Sequence, residues 1–98
     1  MRRTAHIVIA LTLYSRPGCH LCDDMKAVIT RVTRDITFPI TFEEIDISLN
    51  AELEAIYGVE IPVLLVDGKK VAKFRVTEAE LLRMLNARGE AGGAGKAG

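Results

Sequence analysis

The spacing of apolar residues changes several times along the chain, and the first changes predict a strand followed by a helix. Residues 6–14 (H-I-V-I-A-L-T-L-Y) are almost uniformly apolar and rich in β-branched side chains, which is typical of a strand buried on both faces. Pro17-Gly18 then ends this strand and turns the chain. Apolar side chains next recur at helical spacing, which predicts a helix over about residues 19–34. They are Leu21, Met25, Val28, Ile29, Val32 and Ile36.

The middle of the chain predicts a second strand and a short helix. Residues 41–47 (T-F-E-E-I-D-I) form a more polar strand pattern, which is typical of a position nearer a sheet edge. Asp46, Ser48 and Asn50 then offer N-cap groups, and Gly58 is a favourable helix end. Between these signals lies the expected apolar face of the helix, made of Leu49, Leu53, Ile56 and Tyr57.

The last part of the chain predicts a β-hairpin and a final helix. Residues 61–66 are apolar throughout, and Asp67-Gly68 is the dipeptide of a type I′ turn, so residues 70–76 should return as an antiparallel strand. Thr77 and Glu80 give the capping-box pattern T-x-x-E, which opens a helix. We expect the inward residues of this helix to be Leu81, Leu82 and Leu85.

The predicted order is therefore β-α-β-α-β-β-α, an α/β fold in which a mixed four-stranded sheet is flanked by helices. A chain of 98 residues has room for one domain, which we place over residues 1–88. We expect Gly89 to end the last helix and residues 89–98, a Gly/Ala-rich tail, to be disordered.

Composition and charge narrow the classes of partner. The 13 basic and 13 acidic residues leave no net charge, which argues against a general attraction to nucleic acid or to an anionic membrane. Residues 1–3 (M-R-R) with the apolar run after them imitate a signal peptide, but the run is short and no small-residue cleavage site follows. Because no segment is long enough to cross a bilayer, we expect a cytoplasmic protein. His6 has no partner nearby and is expected only to begin the first strand.

Cys19 and Cys22 form a C-x-x-C motif where the first strand meets the first helix. Two cysteines this close are too few for a disulfide scaffold and are typical of a reversible thiol–disulfide site. Cys19 should lie at the helix N-terminus, where unpaired backbone N–H groups favour a thiolate and lower the pKa of a free cysteine from about 8.5. Cys19 is therefore the expected nucleophile, and Cys22 the cysteine that resolves the mixed disulfide.

Other roles for the motif stay open on the residues alone. The two cysteines could be buried for packing only. A closed zinc site needs four ligands, and only Cys19, Cys22 and His20 are local, so we expect no metal site within one chain. His20 either favours the Cys19 thiolate electrostatically when protonated or shapes the surface that meets a partner.

Two phrases of the sequence resemble a known family. Residues 14–19 (Y-S-R-P-G-C) are similar to the Y-S-[KR]-x-x-C phrase of glutaredoxins. Residues 57–63 (Y-G-V-E-I-P-V) are similar to the Y-G-V-x-x-I-P segment of the thioredoxin superfamily, one residue shorter. With C-H-L-C, the chain looks most like a small, poorly characterised glutaredoxin-like branch over about residues 10–88, and this resemblance implies a thioredoxin-like fold.

The resemblance also implies roles for residues around the cysteines. Pro62 matches the cis-proline of the superfamily, and Ile61 before it would present its backbone N–H and C=O to an extended substrate, like an added strand. Arg16 occupies the basic position that meets a glutathione carboxylate in glutaredoxins, or is an ordinary exposed loop arginine. Tyr14 lines the same groove or packs in the core.

Two departures from the glutaredoxin pattern bear on the substrate. His20 and Leu21 replace the usual Pro-[Tyr/Phe] between the cysteines, and residues 74–78 (F-R-V-T-E) lack the glycine pair that helps to hold the γ-glutamyl end of glutathione. We therefore hypothesise a monomeric thiol–disulfide oxidoreductase that reduces protein or glutathione mixed disulfides, with no bound cofactor and with glutathione as a possible co-substrate. The alternative is a non-catalytic role on the same fold, as an iron–sulfur carrier with a cluster shared between two chains or as a redox-sensing binding module.

Overall fold

The helices and strands follow the predicted order. The computed structural model describes residues 8–94, and side chains as far as Arg88; His6 lies outside the described residues. The elements are β1 (Ile9–Ser15), α1 (His20–Arg34), β2 (Ile40–Asp46), a 3₁₀ turn (Ile47–Leu49), α2 (Ala51–Tyr57), β3 (Val63–Val66), β4 (Lys69–Lys73) and α3 (Glu78–Ala94). The α/β class, the order β-α-β-α-β-β-α and the mixed four-stranded sheet are confirmed.

The order of the strands brings three distant segments to one end of the sheet. The strands lie in the order β2-β1-β3-β4, with β1 parallel to β2 and antiparallel to β3, and β3 antiparallel to β4. The end of β1 therefore lies beside the beginning of β3 and the end of β4. The loop after Ser15, the residue Pro62 before β3 and the residue Phe74 after β4 share this end of the sheet with the beginning of α1.

One face of the sheet carries the hydrophobic core. The alternating residues Ile9, Leu11 and Leu13 of β1 are at most 1% exposed, and α1 and α3 pack on this face. The other buried members of the cluster are Met25, Ile29, Val32, Leu64, Val66, Val76, Leu81 and Leu85. Burying an aliphatic side chain of this size contributes about 1.5–3 kcal/mol. The packing of β1 against α1 consequently fixes the loop between them, which carries Cys19.

The other face is covered more thinly, by the short helix α2. Tyr57 packs against Tyr14 with the rings tilted by 43° and their centroids 4.8 Å apart, and Leu53 is half-buried. Leu49 and Ile56 are 85% and 60% exposed, so the prediction that they belong to the inward face is wrong. α2 has only seven residues, and Leu53 and Tyr57, four positions apart, share the one face that reaches the sheet.

The hairpin is confirmed at its turn and corrected at its end. Asp67 and Gly68 have φ angles of 52° and 82°, as a type I′ turn requires. β4 ends at Lys73, earlier than predicted. The N–H of Arg75 donates to the Lys73 carbonyl, and Phe74 between them has a φ of 70°, which is the geometry of a γ-turn. This turn takes Phe74 out of the sheet and leaves it 41% exposed.

The last helix begins as predicted. Thr77 Oγ1 accepts the Glu80 N–H at 3.1 Å, and Glu80 Oε1 accepts the Thr77 N–H at 3.0 Å, which confirms the capping box. Leu81 and Leu85 are fully buried, whereas Leu82 is 42% exposed, so its predicted inward position is wrong. Leu81 and Leu85 are four positions apart and share one face, from which Leu82 is turned away by its single-residue offset.

The prediction that Gly89 ends this helix is wrong, because helical backbone continues to Ala94. A glycine costs a helix about 1 kcal/mol relative to alanine, which weakens the helix without ending it. The predicted disordered tail overlaps the helix over residues 89–94, and residues 95–98 lie outside the described part of the chain. Within residues 8–94, no helix combines the length and apolar character needed to cross a bilayer.

Candidate functional site

The two cysteines form a disulfide at the beginning of α1. Cys19 is the N-cap residue of the helix, with extended backbone angles (φ −94°, ψ 107°), and its Sγ accepts the Cys22 N–H at 3.1 Å. The two Cα atoms are 5.2 Å apart, within the usual range for a disulfide. Cys19 is half-buried, whereas Cys22 is only 2% exposed. An approaching sulfur atom therefore reaches Cys19 first.

The loop that leads from β1 to Cys19 depends on a glycine. Gly18 has a φ of 80°, and a Cβ placed there would meet no atom within 4 Å. The backbone conformation, rather than a lack of space, requires glycine at this position. His20 follows Cys19 as the first residue of α1, and its side chain is exposed to solvent.

A polar cluster that was not predicted from the sequence lies on the β2 side of the cysteines. The buried Ser15 hydroxyl donates to Glu44 Oε2 at 2.8 Å, and Lys26 Nζ lies 2.8 Å from Glu44 Oε1. The hydrogen bond from Lys26, with a further one from Ser15, holds the pKa of Glu44 below its ordinary value of 4.5. Glu44 in turn raises the pKa of Lys26 above 10.5. Cys22 lies one turn before Lys26 on the same side of α1.

This cluster opens into a small cavity beside the redox loop. The cavity has a volume of about 320 Å³, and besides Ser15 and Glu44 it is lined by Arg16, Pro17, Gly18, Asp23 and Asp46. One signal in the sequence could have found Ser15. It continues the alternation of Leu11 and Leu13, which predicts an inward side chain at that position.

Arg16 is held toward α2. Its Nη2 atom contacts the Glu54 carboxylate and donates to the Gly58 carbonyl at 3.3 Å. A Cβ at Gly58 would lie 2.5 Å from the Glu54 carbonyl oxygen, 2.6 Å from Glu54 Oε2 and 3.2 Å from Arg16 Nη2, so the glycine leaves room for the end of α2 and for this contact. Tyr14, two residues earlier, is half-buried against Tyr57, which places the ring under α2.

The segment before β3 lies at the same end of the sheet. The peptide bond between Ile61 and Pro62 is cis, as predicted, and the buried Pro62 accepts the Phe74 N–H through its carbonyl at 2.8 Å. The N–H of Ile61 donates to the Tyr57 carbonyl at 3.1 Å. The structure therefore differs from the expectation that Ile61 offers both backbone groups to a substrate, because its N–H already has a partner at the end of α2.

An apolar cavity of about 290 Å³ lies on the β4 side of the cysteines. Leu21, Asp24 and Met25 of α1 form one wall. Phe74 and Arg75, with the two residues that follow them, form the other. Leu21 and Phe74 are 38% and 41% exposed, so this cavity has a partly exposed apolar side chain on each wall.

The structure thus brings most of the predicted site residues to one end of the sheet. Cys19, Cys22 and His20 lie at the start of α1, with Arg16 and Pro62 in the neighbouring segments. Tyr14 packs beneath α2. Among the described side chains, no three His, Cys, Asp or Glu residues come together in a way that could hold a metal ion.

Comparison with known proteins decides the family. The model of the Glutaredoxin-like domain (DUF836) matches residues 10–86. The chain belongs to the glutaredoxin-like family. Glutaredoxin-like protein YDR286C homolog from Dictyostelium discoideum is 33% identical to it, over 74% of this chain and 71% of the relative.

Solved structures match the fold of this chain. The X-ray structure of protein XcR50 from X. campestris matches with a TM-score of 0.65 at 31% identity, over 79% of this chain and 96% of that one. Protein Ne2328 from Nitrosomonas europaea matches with a TM-score of 0.66 at 26% identity, over 86% and 98%. Chloroplastic thioredoxin z matches in fold alone, with a TM-score of 0.70 at 14% identity, over 87% and 80%. The predicted thioredoxin-like fold and the resemblance to glutaredoxins are confirmed.

Proposed function

We propose that this glutaredoxin-like protein is a thiol–disulfide oxidoreductase that reduces protein disulfides or glutathione mixed disulfides. The observation that carries the proposal is the disulfide at the N-terminus of α1, with half-buried Cys19 as N-cap and buried Cys22 one turn later. A helix N-terminus stabilises an anion and lowers the pKa of a cysteine placed there. Reduced Cys19 is therefore suited to react as a thiolate.

The reaction needs the two cysteines and an external thiol. The Cys19 thiolate attacks one sulfur of the substrate disulfide, and the other substrate sulfur leaves as a thiolate and takes up a proton. The Cys22 thiol loses its proton and attacks Cys19 Sγ, which closes the disulfide and releases the second substrate sulfur as a thiol. The substrate gains two electrons and two protons. Two molecules of a reducing thiol such as glutathione then restore the dithiol by the reverse exchange and leave as their own disulfide.

The surroundings of the cysteines support a docked substrate. The Ile61 carbonyl can accept a hydrogen bond from an extended substrate beside Pro62, while the Ile61 N–H stays with Tyr57. Arg16 has further N–H donors besides the Nη2 atom that contacts Glu54, and these suit an anionic end such as a glutathione carboxylate. We further propose that the protein works as a monomer in the cytoplasm, where the reducing thiol pool would return it to the dithiol form.

Single-cysteine variants test this function with two substrates, a glutathione mixed disulfide and a protein disulfide. Cys19→Ser should abolish turnover of both, because the nucleophile is gone. Cys22→Ser should still attack, and should either stop at a mixed disulfide visible by mass spectrometry or retain only turnover of the glutathione substrate. Ser48→Ala, an exposed hydroxyl variant beyond β2, is the control and should retain both activities. Full dithiol activity in both cysteine variants would exclude the proposed function.

A further inference from the structure

A third cavity lies between the edge strand β4 and the first turns of α3. Its volume is about 340 Å³, and its charged lining residues are Lys73, Arg75, Arg83 and Glu80. The three cations come from three segments: the end of β4, the loop after it and the exposed side of α3. None of the three takes part in an ion pair among the described side chains. We call this cavity the basic groove.

The acids near the basic groove are already engaged. Glu80 Oε1 accepts the Thr77 N–H at 3.0 Å in the capping box. This contact is the main reason why the pKa of Glu80 is lowered, and the charge of Arg83 makes a smaller contribution. Glu60, outside the groove, pairs with Lys70 at 3.1 Å, although Lys73 is close enough to help lower the pKa of Glu60. The cations of the groove therefore outnumber its acid by three to one, in a chain with no net charge.

The basic groove is continuous with the redox site. Arg75 and Val76 line both this groove and the apolar cavity, whose far wall contains Leu21, one of the two residues between the cysteines. Phe74, which is 41% exposed, lies at the junction. A chain that leaves Cys19 across Leu21 and Phe74 consequently enters a region of positive charge.

Protection of an exposed sheet edge explains only one of these three cations. Lysines on an edge strand oppose unwanted pairing with other strands, and Lys73 lies on such a strand. Arg83 lies on α3 and Arg75 in a turn, where no strand edge needs protection. Edge protection therefore leaves Arg75 and Arg83, which line the same cavity, unexplained.

We propose that the basic groove binds an acidic segment of the protein substrate, adjacent to the cysteine that Cys19 attacks. The inference rests on the proposed oxidoreductase function and adds the class of substrate. Apolar substrate residues next to the cysteine contact Leu21 and Phe74. Aspartate or glutamate residues further along meet the three cations, which raises the rate of association at low salt.

Three matched peptides test the proposal. Each carries one cysteine as a mixed disulfide with 2-mercaptoethanol, followed by an apolar residue and then by three glutamates, three glutamines or three lysines. At about 0.01 M salt, where charges act over about 30 Å, we expect kcat/KM for the glutamate peptide to exceed that for the lysine peptide about tenfold or more. At about 1 M salt, where the screening length is about 3 Å, the preference should disappear.

Arg83→Gln should reduce the preference for the glutamate peptide, and Arg83→Glu should reduce it further because it reverses the charge. Neither variant should change the turnover of bis(2-hydroxyethyl) disulfide. Arg34→Glu, an exposed variant at the end of α1 that lines neither cavity, should leave the preference intact.

If bis(2-hydroxyethyl) disulfide is turned over but the three peptides react alike, the basic groove is not an acidic-segment site. If oligouridylate inhibits more strongly than a cysteine-free glutamate peptide, the groove prefers nucleic acid and the proposal fails. If the native chain does not turn over bis(2-hydroxyethyl) disulfide, the oxidoreductase function itself is contradicted.

Discussion

At the scale of single residues, Ser15 is the buried polar side chain closest in sequence to the redox loop. It is 4% exposed, and its hydroxyl donates to Glu44, which also contacts Lys26. A hydroxyl loses its hydrogen bonds to water when it is buried, and the bond to Glu44 compensates for that loss. The same bond joins the end of β1 to β2. The bond therefore steadies the strand end from which the Cys19 loop departs.

Replacement of Ser15 by alanine should lower the free energy of unfolding. The expected loss is about 0.5–1.5 kcal/mol, the usual net value of one such hydrogen bond, measured from urea denaturation. Ser48→Ala is the matched control, because Ser48 is exposed and its hydroxyl bonds only to nearby Asp46 at 2.6 Å. A Ser15→Ala midpoint no lower than that of Ser48→Ala would show that the bond to Glu44 adds no stability.

The same residues show what the sequence could not predict about the site. Cys19 and Cys22 are three positions apart, so a strand, a turn and one helical turn were enough to infer their arrangement. Ser15 and Glu44 are 29 positions apart, and their contact depends on the register that pairs Ser15 with Asp46 across β1 and β2. Strand register is decided by packing of the whole sheet, which no local pattern contains.

At the scale of elements, local hydrogen bonding decides where α3 begins. The reciprocal bonds between Thr77 and Glu80 satisfy two backbone N–H groups that a helix N-terminus otherwise leaves unpaired. The capped N-terminus of α3 also positions Val76, the residue before Thr77. Val76 is 7% exposed and lines both the apolar cavity and the basic groove. The cap is therefore connected to the surface beside the cysteines.

Thr77→Ala should destabilise the protein by about 1 kcal/mol, the usual cost of removing an N-cap hydroxyl. Thr30→Ala is the control, because the Thr30 hydroxyl bonds to the Lys26 carbonyl inside α1 at 2.9 Å, where alanine has the higher helix propensity. We expect its urea midpoint to stay level or to rise. Equal losses in the two variants would mean that the hydroxyl of Thr77 does not act as a cap.

Element boundaries were predicted well where a short-range signal exists and poorly where tertiary contacts decide. The type I′ turn at Asp67-Gly68 and the capping box involve residues at most three positions apart. The end of β4 depends instead on the bond from the Phe74 N–H to the Pro62 carbonyl and on the γ-turn after it. Ile56 looked inward by its spacing, but the short α2 has only one side toward the sheet.

At the scale of the whole molecule, several ionisable groups make stability depend on pH. Hydrogen bonds lower the pKa values of Glu44, Glu60 and Glu80 below 4.5 and that of Asp67 below 3.8. In acid the folded chain therefore binds fewer protons than the unfolded chain. The four carboxylates stabilise the fold at pH values above their ordinary pKa values, and this stabilisation is lost as the pH falls through their lowered pKa values. Lys26, whose pKa is raised above 10.5 by Glu44, contributes below that value and loses its contribution as pH rises through the raised one.

Glu44 and Lys26 connect the acid and alkaline sides, so one substitution should change both. We expect the urea midpoint of the native chain to be level between about pH 5.5 and 9.5 and to fall on either side. In Glu44→Gln the acid side should become shallower, because one carboxylate fewer takes up a proton on unfolding. The alkaline side should also become shallower, because Lys26 loses the partner that raises its pKa. Glu52→Gln, an exposed variant on α2, should leave both slopes unchanged. Unaltered slopes in Glu44→Gln would mean that the ion pair with Lys26 does not contribute to stability in solution.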